Sequence, residues 1–372
     1  MVLMKLRHAF AFCALLTLAG CWSAPPPRDS LSAPTFYTGD NKLLFNYQEV
    51  GHVPVVVSYD LASREFERVR FGELEPPDRL VRNASLSPDG KRLAVVVSQT
   101  RSDPKRPMVQ IAITDADGTN LRKITEGPGL RSDPRFSPDG KRLIYVASMA
   151  VRREGAFGAK LFYDPRPFTD WDIWEVDIET GVETQLTDFE FFGISTPTYL
   201  PDGEHFIFSG EWPFKGKDVG PRSAYAKAYK DNHIFIFGRT PAEQALVPIV
   251  VHEATSAPTV SQDGSKIAFV SRSGKGGYSY NLFVKQGDEI RQLTHFEYLG
   301  IYSPSFSRDG ARITFVMDNW SKRPRRESLW IVNTDGSGLT EIDFPPADGD
   351  ISRPNDTTAT LRPAPVPTDE TP

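Results

Sequence analysis

The stretch DPRFSPDGKRLIYVAS, from Asp133 to Ser148, places a Ser-Pro-Asp-Gly turn between two runs of β-prone residues. Proline presets φ for the second position of a type I turn, and aspartate can bond the local backbone. Glycine takes the left-handed conformation that closes a hairpin with a bulge. The stretch therefore predicts a tight corner between two antiparallel strands.

The same pattern occurs in five other places along the chain. Four clear copies begin at Asn83, Thr196, Ala257 and Ser303, and a divergent copy, APTFYTGDNKLLFNY, begins at Ala33. The turn aspartate or its equivalent falls at Asp40, Asp89, Asp139, Asp202, Asp263 and Asp309. A single carboxylate per turn lacks the several oxygen ligands of a calcium site, so we interpret these aspartates as turn residues.

A second pair of β-prone runs follows each copy, as in WDIWEVDIETGVETQLT from Trp171 and SLWIVNTDGSGLTEI from Ser328. Every unit thus holds four short strands, which we name A to D in chain order. A lone sheet of this size is marginal and must bury its faces against neighbours. The sequence therefore predicts an all-β fold, a six-bladed β-propeller with four antiparallel strands per blade. Because the first unit starts with strand A and the sixth ends with strand D, we expect the ring to close without an exchanged strand.

These units resemble the WD-like propeller repeats of the TolB family over residues 33–343. The matching segments are Pro134–Lys141, Trp174–Asp177, Leu186-Thr187, Leu293-Thr294 and Trp330–Gly336. The resemblance implies a TolB-like propeller that interacts with other proteins of the bacterial envelope. In TolB itself an α/β domain precedes the propeller and the protein is soluble in the periplasm, whereas here only a short proline-rich spacer precedes the first strand.

The N-terminal segment has the features of an export signal. Lys5 and Arg7 precede the apolar stretch AFAFCALLTLAG, which is too short to span a bilayer. The ending Leu18-Ala19-Gly20-Cys21 resembles the lipobox of bacterial lipoproteins. The resemblance implies a signal peptide over residues 1–20, lipidation of Cys21 and a linker over residues 21–32; the alternative is an ordinary secretory signal. Trp22 after the cysteine, by resemblance to the sorting rule of enteric lipoproteins, favours the outer membrane.

Composition narrows the partners of the mature chain. Loss of the signal leaves 41 basic and 48 acidic side chains, a formal net charge of −7, which disfavours nucleic-acid binding. Cys13 would leave with the signal and Cys21 would carry lipid, so no thiol is left for a disulfide. Residues 344–372 are poor in apolar residues and rich in proline and threonine, and they predict a disordered tail.

The long connections predict the functional surface. The B–C and D–A connections must lie on one face, and they hold the insertions Met149–Asp170 and Gly210–Asp231. The B–C loops carry an excess of basic residues, which favours an acidic partner; alternatively they are merely solvated. Tyr, Trp and Arg dominate interface energetics, and the candidate residues of this face follow. They are Arg152, Arg153, Phe157, Phe162, Tyr163, Trp212, Phe214, Tyr225, Tyr229, Trp320, Arg325 and Arg326.

Recognisable catalytic motifs are missing from the sequence. It contains neither G-x-S-x-G nor H-E-x-x-H, so we predict no catalytic residue, metal ligand or cofactor. Three functions stay open. The favoured one is a lipid-anchored envelope scaffold similar to the TolB propeller. The others are a binder of anionic glycans or lipid headgroups, and a propeller hydrolase or lyase with its site at the central channel.

Overall fold

The structure, a computed structural model, confirms a six-bladed β-propeller with four antiparallel strands per blade. It describes residues 30–37, 40–48, 54–72, 78–99, 108–149, 152–154, 161–163, 171–189, 191, 193–211, 233–240, 247–250, 254–273, 279–319 and 326–342. The predicted signal, Cys21, the linker up to residue 29 and the tail lie outside the described residues. Contact clustering separates residues 1–342 from Asp343–Pro372, and the latter unit also lies outside them.

The six blades follow one another along the chain. Blade 1 comprises β1 (Ser30–Tyr37), β2 (Lys42–Gln48), β3 (Val55–Asp60) and β4 (Phe66–Arg68). Blade 2 comprises β5 (Asp78–Leu86), β6 (Arg92–Gln99), β7 (Val109–Asp115) and β8 (Arg122–Lys123). Blade 3 comprises β9 (Gly129–Phe136), β10 (Arg142–Met149), β13 (Asp172–Asp177) and β14 (Glu183–Gln185).

The second half of the ring has the same construction. Blade 4 comprises β15 (Gly193–Tyr199), β16 (His205–Glu211), β17 (His233–Gly238) and β18 (Val247–Val250). Blade 5 comprises β19 (Ser256–Val260), β20 (Lys266–Arg272), β21 (Tyr280–Gln286) and β22 (Glu289–Gln292). Blade 6 comprises β23 (Leu299–Phe306), β24 (Arg312–Asn319), β25 (Arg326–Asn333) and β26 (Thr340–Ile342).

The ring closes without strand exchange, as predicted. Within the described residues each four-stranded sheet takes all its strands from one unit. The A strands contact one another in a circle, with β1 against both β5 and β23, so they form the inner wall. One element was not predicted: the insertion in blade 3 contains a separate hairpin of β11 (Arg152–Glu154) and β12 (Leu161–Tyr163).

The middle strands form the core. Five consecutive residues are buried in β2, Leu43–Tyr47, and six are buried in each of β6 and β10, Leu93–Ser98 and Leu143–Ser148. Both faces of these strands are covered because each blade is packed between two others. This explains why these strands are mostly apolar and do not alternate strictly between apolar and polar residues.

The A–B turns have the predicted geometry. Gly90 has φ of 74°, and its N–H donates to the Ser87 carbonyl over 2.9 Å. The Ser87 hydroxyl and the Lys91 N–H both donate to Asp89 Oδ1, over 2.5 and 3.1 Å. These bonds favour the ionised carboxylate and lower the pKa of Asp89. Asp139, Asp263 and Asp309 make the corresponding bonds to their turns, and their pKa values are lowered too.

The basic residue that begins strand B joins its blade to the next one. Arg92 donates from Nη2 to the Gly140 carbonyl over 2.8 Å and lies over the ring of Phe136, with 5.6 Å between Cζ and the centroid. Three other blades repeat the bond to the next turn: Arg142 to Gly203 over 3.3 Å, Lys266 to Gly310 over 3.3 Å, and Arg312 to Asp40 over 2.8 Å.

Asp40 closes the ring between blades 6 and 1. It has φ of 64°, so it takes the left-handed place that glycine holds in the other turns and is not the equivalent of Asp89. Its carboxylate accepts the N–H groups of Arg308 and Asp309, over 2.8 and 3.2 Å. Its carbonyl accepts the bond from Arg312, whose guanidinium lies 5.1 Å from the centre of the Phe36 ring. The divergent first copy therefore supplies the contacts that join blade 1 to blade 6.

Replacing Asp40 by glycine tests this closure. Glycine suits the positive φ, so the change removes the carboxylate without adding backbone strain. We expect the free energy of unfolding to fall by about 1–3 kcal/mol, because two N–H groups at the blade 6 turn lose a charged acceptor. Urea denaturation measures it, and Asp117→Ala, whose carboxylate bonds only within its own turn, is the control. A variant as stable as the wild type would contradict the assignment.

The turn aspartates predict a loss of stability in acid. Five of them have a pKa lowered below that of the unfolded chain, so their contribution is complete above the unfolded pKa of about 3.9. These are Asp89, Asp139, Asp202, Asp263 and Asp309. The contribution disappears as the pH falls through the folded pKa. Asp89→Ala should therefore lower the urea midpoint at pH 6 but leave it close to that of the wild type at pH 2. A pH-independent difference between the two proteins would show that the charge is not involved.

Candidate functional site

The long B–C connections leave one end of the propeller, as predicted. They follow β2, β6, β10, β16, β20 and β24, and the A strands begin at the same end because neighbouring strands are antiparallel. We call this end the long-loop face. The opposite end holds the short A–B and C–D turns, and we call it the turn face.

The inserted hairpin brings four of the predicted interaction residues together. Arg152 pairs with Tyr163, and Arg153 pairs with Phe162. Arg326 is the first residue of β25 and pairs with Asn319, the last residue of β24. The other predicted residues lie outside the described residues: Phe157, Trp212, Phe214, Tyr225, Tyr229, Trp320 and Arg325.

The channel wall has a feature that the sequence did not reveal. Each A strand contains a β-bulge at the same place, marked by a non-glycine residue with φ between 47° and 54°. The bulge residues are Ala33, Asn83, Asp133, Thr196, Ala257 and Ser303. Bulges turn side chains in a new direction and leave backbone groups unpaired. Positive φ at six non-glycine residues in a circle therefore marks a built feature of the channel.

Side chains of the preceding blade satisfy some of the backbone groups that the bulges release. The Asn83 N–H donates to Asn46 Oδ1 over 3.0 Å, and the Asn46 amide donates back to Asn83 Oδ1 over 3.2 Å. Asn83 Nδ2 in turn donates to Ser132 Oγ over 3.3 Å. The Thr196 N–H donates to the Asp133 carboxylate in the same manner. A polar belt thus runs along the channel wall from blade 1 to blade 4.

A second polar ring lies two residues beyond the bulges, towards the turn face. Each member comes directly before the large apolar or aromatic residue that ends the first β-prone run of its unit. The members are Thr35, Ser85, Arg135, Thr198, Thr259 and Ser305. Five carry a hydroxyl group and one carries a guanidinium. All are half-buried except Ser85, which is buried. The Ser305 hydroxyl donates to Thr35 Oγ1 over 3.4 Å across the closure of the ring. We call these residues the hydroxyl ring.

Two charges of opposite sign lie in this part of the channel, both from blade 3. The surrounding protein raises the pKa of Asp133 by desolvation, against the opposing effects of Arg135, Ser132 and the Thr196 N–H. Desolvation likewise lowers the pKa of Arg135, against the attraction of Asp133. Both shifts have the same cause, the partial burial of the two groups in the channel wall. The described residues hold no cluster of three or more His, Cys, Asp or Glu placed to bind a metal.

Comparison with curated proteins finds similarity to TolB. No family model matches the chain. "Tol-Pal system protein TolB" of Rickettsia bellii is 32% identical over 116 residues, which are 31% of this chain and 22% of the relative. The protein of the same name from Rickettsia canadensis is 34% identical over 116 residues, 31% of this chain and 21% of the relative. The matched stretch is thus about a fifth of the length of these relatives.

Solved structures show the same fold at lower identity. TolB from Acinetobacter baumannii has a TM-score of 0.52 and 23% identity, and the match covers 76% of this chain and 58% of that one. The propeller is of the TolB type. The tricorn protease has a TM-score of 0.55 at 19% identity, covering 88% of this chain and 27% of that one. Oligogalacturonate lyase in complex with manganese has a TM-score of 0.51 at 16% identity, covering 85% and 78%.

Two ionic clusters involve blade 3 of this TolB-type propeller: one lies within the blade, and the other joins it to blade 4. Arg131, which is 2% exposed, makes a bidentate ion pair of 3.0 Å with Glu183, and Glu183 also accepts the Tyr145 hydroxyl over 2.5 Å. On the opposite side, Glu175 accepts two bonds from Arg239 over 2.8 and 3.0 Å and one from the Tyr199 hydroxyl over 2.5 Å.

These carboxylates serve as structural groups. Burial and the adjacent carboxylates raise the pKa of Tyr145 and Tyr199, so both phenols stay protonated and donate. Glu183 and Glu175 each receive charged bonds on both oxygens, which leaves little capacity for a substrate. We therefore place the candidate functional surfaces at the hairpin and the channel.

The Arg131 cluster predicts a strong effect of single substitution. Arg131→Met would leave the Glu183 carboxylate facing Tyr145 without its cation, and we expect a loss of about 3–5 kcal/mol in the free energy of unfolding. Adding Glu183→Gln should recover most of the lost free energy of unfolding, because the double variant no longer buries an unpaired carboxylate. Guanidinium denaturation of the two variants measures both effects. Equal loss in the single and double variants would contradict the ion-pair account.

Proposed function

We propose that the chain is a lipid-anchored protein of the bacterial envelope whose TolB-type propeller is a non-catalytic scaffold for protein–protein interaction. In this proposal residues 1–20 are a signal peptide, Cys21 carries the lipid, the residues after it link it to the propeller, whose first strand begins at Ser30, and residues 344–372 are a tail outside the propeller. The anchor holds the propeller at the outer membrane, facing the periplasm. The name of the relatives, which places TolB in the Tol-Pal system, supports the envelope assignment.

The hairpin of β11 and β12 is the observation that carries the interaction surface. It belongs to the B–C connection of blade 3, on the long-loop face of the ring. Its register places two arginines opposite two aromatic residues, and these residue types supply most binding energy at interfaces. Binding loops are usually insertions of variable length on a rigid scaffold. Two consecutive arginines in one short strand give the hairpin a positive charge, which favours a partner with acidic residues.

Site-specific crosslinking tests this surface. A photoreactive phenylalanine analogue at position 162 should form an adduct in cells with an envelope protein, whereas the same analogue at Lys141 on the turn face should not. Arg152→Glu with Arg153→Glu should lower the adduct yield about tenfold, because reversed charges repel an acidic partner. Mass spectrometry then identifies the crosslinked peptide of the partner and its charge.

The outcome also separates the competing functions. An adduct to lipid or glycan in place of protein, or equal adduct yields at both positions, would refute the scaffold. The anchor is tested apart from this surface: Cys21→Ala should abolish incorporation of labelled palmitate and release the protein from membranes. Labelling that persists in the Cys21→Ala variant would refute lipidation at this residue.

A further inference from the structure

The channel near the turn face contains a cationic residue, Arg135, that makes few hydrogen bonds. Arg135 is the only cation of the hydroxyl ring, and among the described residues its guanidinium makes one hydrogen bond, from Nη1 to the Pro134 carbonyl over 3.5 Å. A guanidinium has five N–H donors arranged as a planar fork that matches a carboxylate. Arg135 is half-buried in β9, an A strand of the inner wall, so part of the residue stays exposed. It therefore has donor capacity for a ligand.

The other members of the ring can add hydroxyl donors at the same level. They hold the equivalent position in each A strand, and the A strands contact one another around the axis. In two blades the residue that directly follows the ring residue packs on the preceding blade. Phe36 lies against Arg312, and Phe136 lies against Arg92. Side chains alternate along a strand, so the ring residues face away from that contact, and Ser305 does reach Thr35.

We propose that this section of the channel binds the carboxylate group of a small ligand, with Arg135 as the bidentate anchor and the hydroxyl groups of Thr35, Thr198, Thr259 and Ser305 as further donors. The site lies at the opposite end of the A strands from the hairpin. It is therefore independent of the scaffold function proposed above and of its partner.

The neighbouring charge favours a monoanion. Asp133 stands two residues before Arg135 in the same strand, and its carboxylate is held by the Ser132 hydroxyl and the Thr196 N–H. Among the described contacts this carboxylate makes no hydrogen bond to the Arg135 guanidinium. Its negative charge nevertheless repels a second negative charge in the channel. A carboxylate, with one charge, should thus bind better than a phosphate dianion.

Nuclear magnetic resonance of the purified protein tests the site. The protein labelled with ¹⁵N-arginine is titrated with acetate, inorganic phosphate and methylammonium at constant ionic strength, and the Arg135 Nε–H signal is assigned by its loss in Arg135→Lys. Acetate should give a saturable shift, whereas phosphate should bind at least about threefold more weakly. A free and a C-terminally amidated triglycine then distinguish a small acid from a peptide end as the source of the carboxylate.

Variants separate the anchor from the wall. Arg135→Gln should raise the dissociation constant for acetate about tenfold, read from backbone amides, and Thr259→Val about threefold. Arg291→Gln, on the outer strand β22, is the matched control and should change nothing. Asp133→Asn should tighten acetate binding and let phosphate bind, so the proposal can still be tested where Arg135→Gln does not fold.

Several results would overturn the proposal. These are a shift that rises linearly with acetate without saturation, tighter binding of phosphate or methylammonium than of acetate, or the same dissociation constant for the wild type and Arg135→Gln. An Asp133→Asn variant that binds acetate no better than the wild type would equally refute the placement of the ligand beside Arg135.

Discussion

The structure depends on the contact by which each blade holds the next. A four-stranded sheet of this size cannot bury enough surface alone, so its faces must be covered by two neighbours. The apolar middle strands supply the burial, but apolar contacts are not directional. The basic residue that starts strand B adds direction, because it donates to one carbonyl of the next turn and stacks on an aromatic ring of that blade. This explains why the repeat continues past Pro-Asp-Gly with a basic residue in its second place.

Blade 4 departs from this pattern, and its contact with blade 5 is of a different kind. At position 205 the basic residue is histidine, whose Nδ1 lies 2.8 Å from Asp202 in its own turn. Blade 4 is instead held to blade 5 by apolar burial, in a cluster that includes Ile207, Ile234 and Phe269. Their turns also stack closely, since a Cβ atom built on Gly264 would lie 2.8 Å from Pro201 Cγ. The two kinds of contact thus substitute for each other around the ring.

Most of the fold could be predicted because it follows from local chemistry. Turn residues and strand runs are short-range signals, and repeating them six times removes the ambiguity of any one copy. Asp40 could not be interpreted correctly, because its role is set by Arg308 and Asp309, which are 268 residues or more away in the chain. The hairpin of β11 and β12 was missed since its strands have three residues each and lie in an insertion without a repeat.

The candidate sites differ in how far the sequence reveals them. The arginines and aromatic residues of the hairpin could be identified by type, but their pairing is a matter of register. The hydroxyl ring was visible as one column of the aligned repeats, in the second residue of Pro-Thr-Phe, Pro-Arg-Phe and Pro-Thr-Tyr. The sequence did not show that these residues form a ring, because a column of the alignment becomes a ring only when the blades are arranged about an axis. The bulges left no trace in residue type, since alanine, asparagine, threonine and serine all occur there.

The two ends of the propeller are built for different tasks. On the turn face the aspartates of five of the six A–B turns bond within their own turn, and these short turns surround the channel. The long-loop face carries the variable insertions, where length can change without disturbing the blades. A change in the hairpin therefore alters a surface, whereas a change in the hydroxyl ring alters a level of the channel to which all six blades contribute one residue. A single arginine in that ring breaks its pseudo-sixfold symmetry, and an asymmetric charge in a symmetric channel orients whatever enters it.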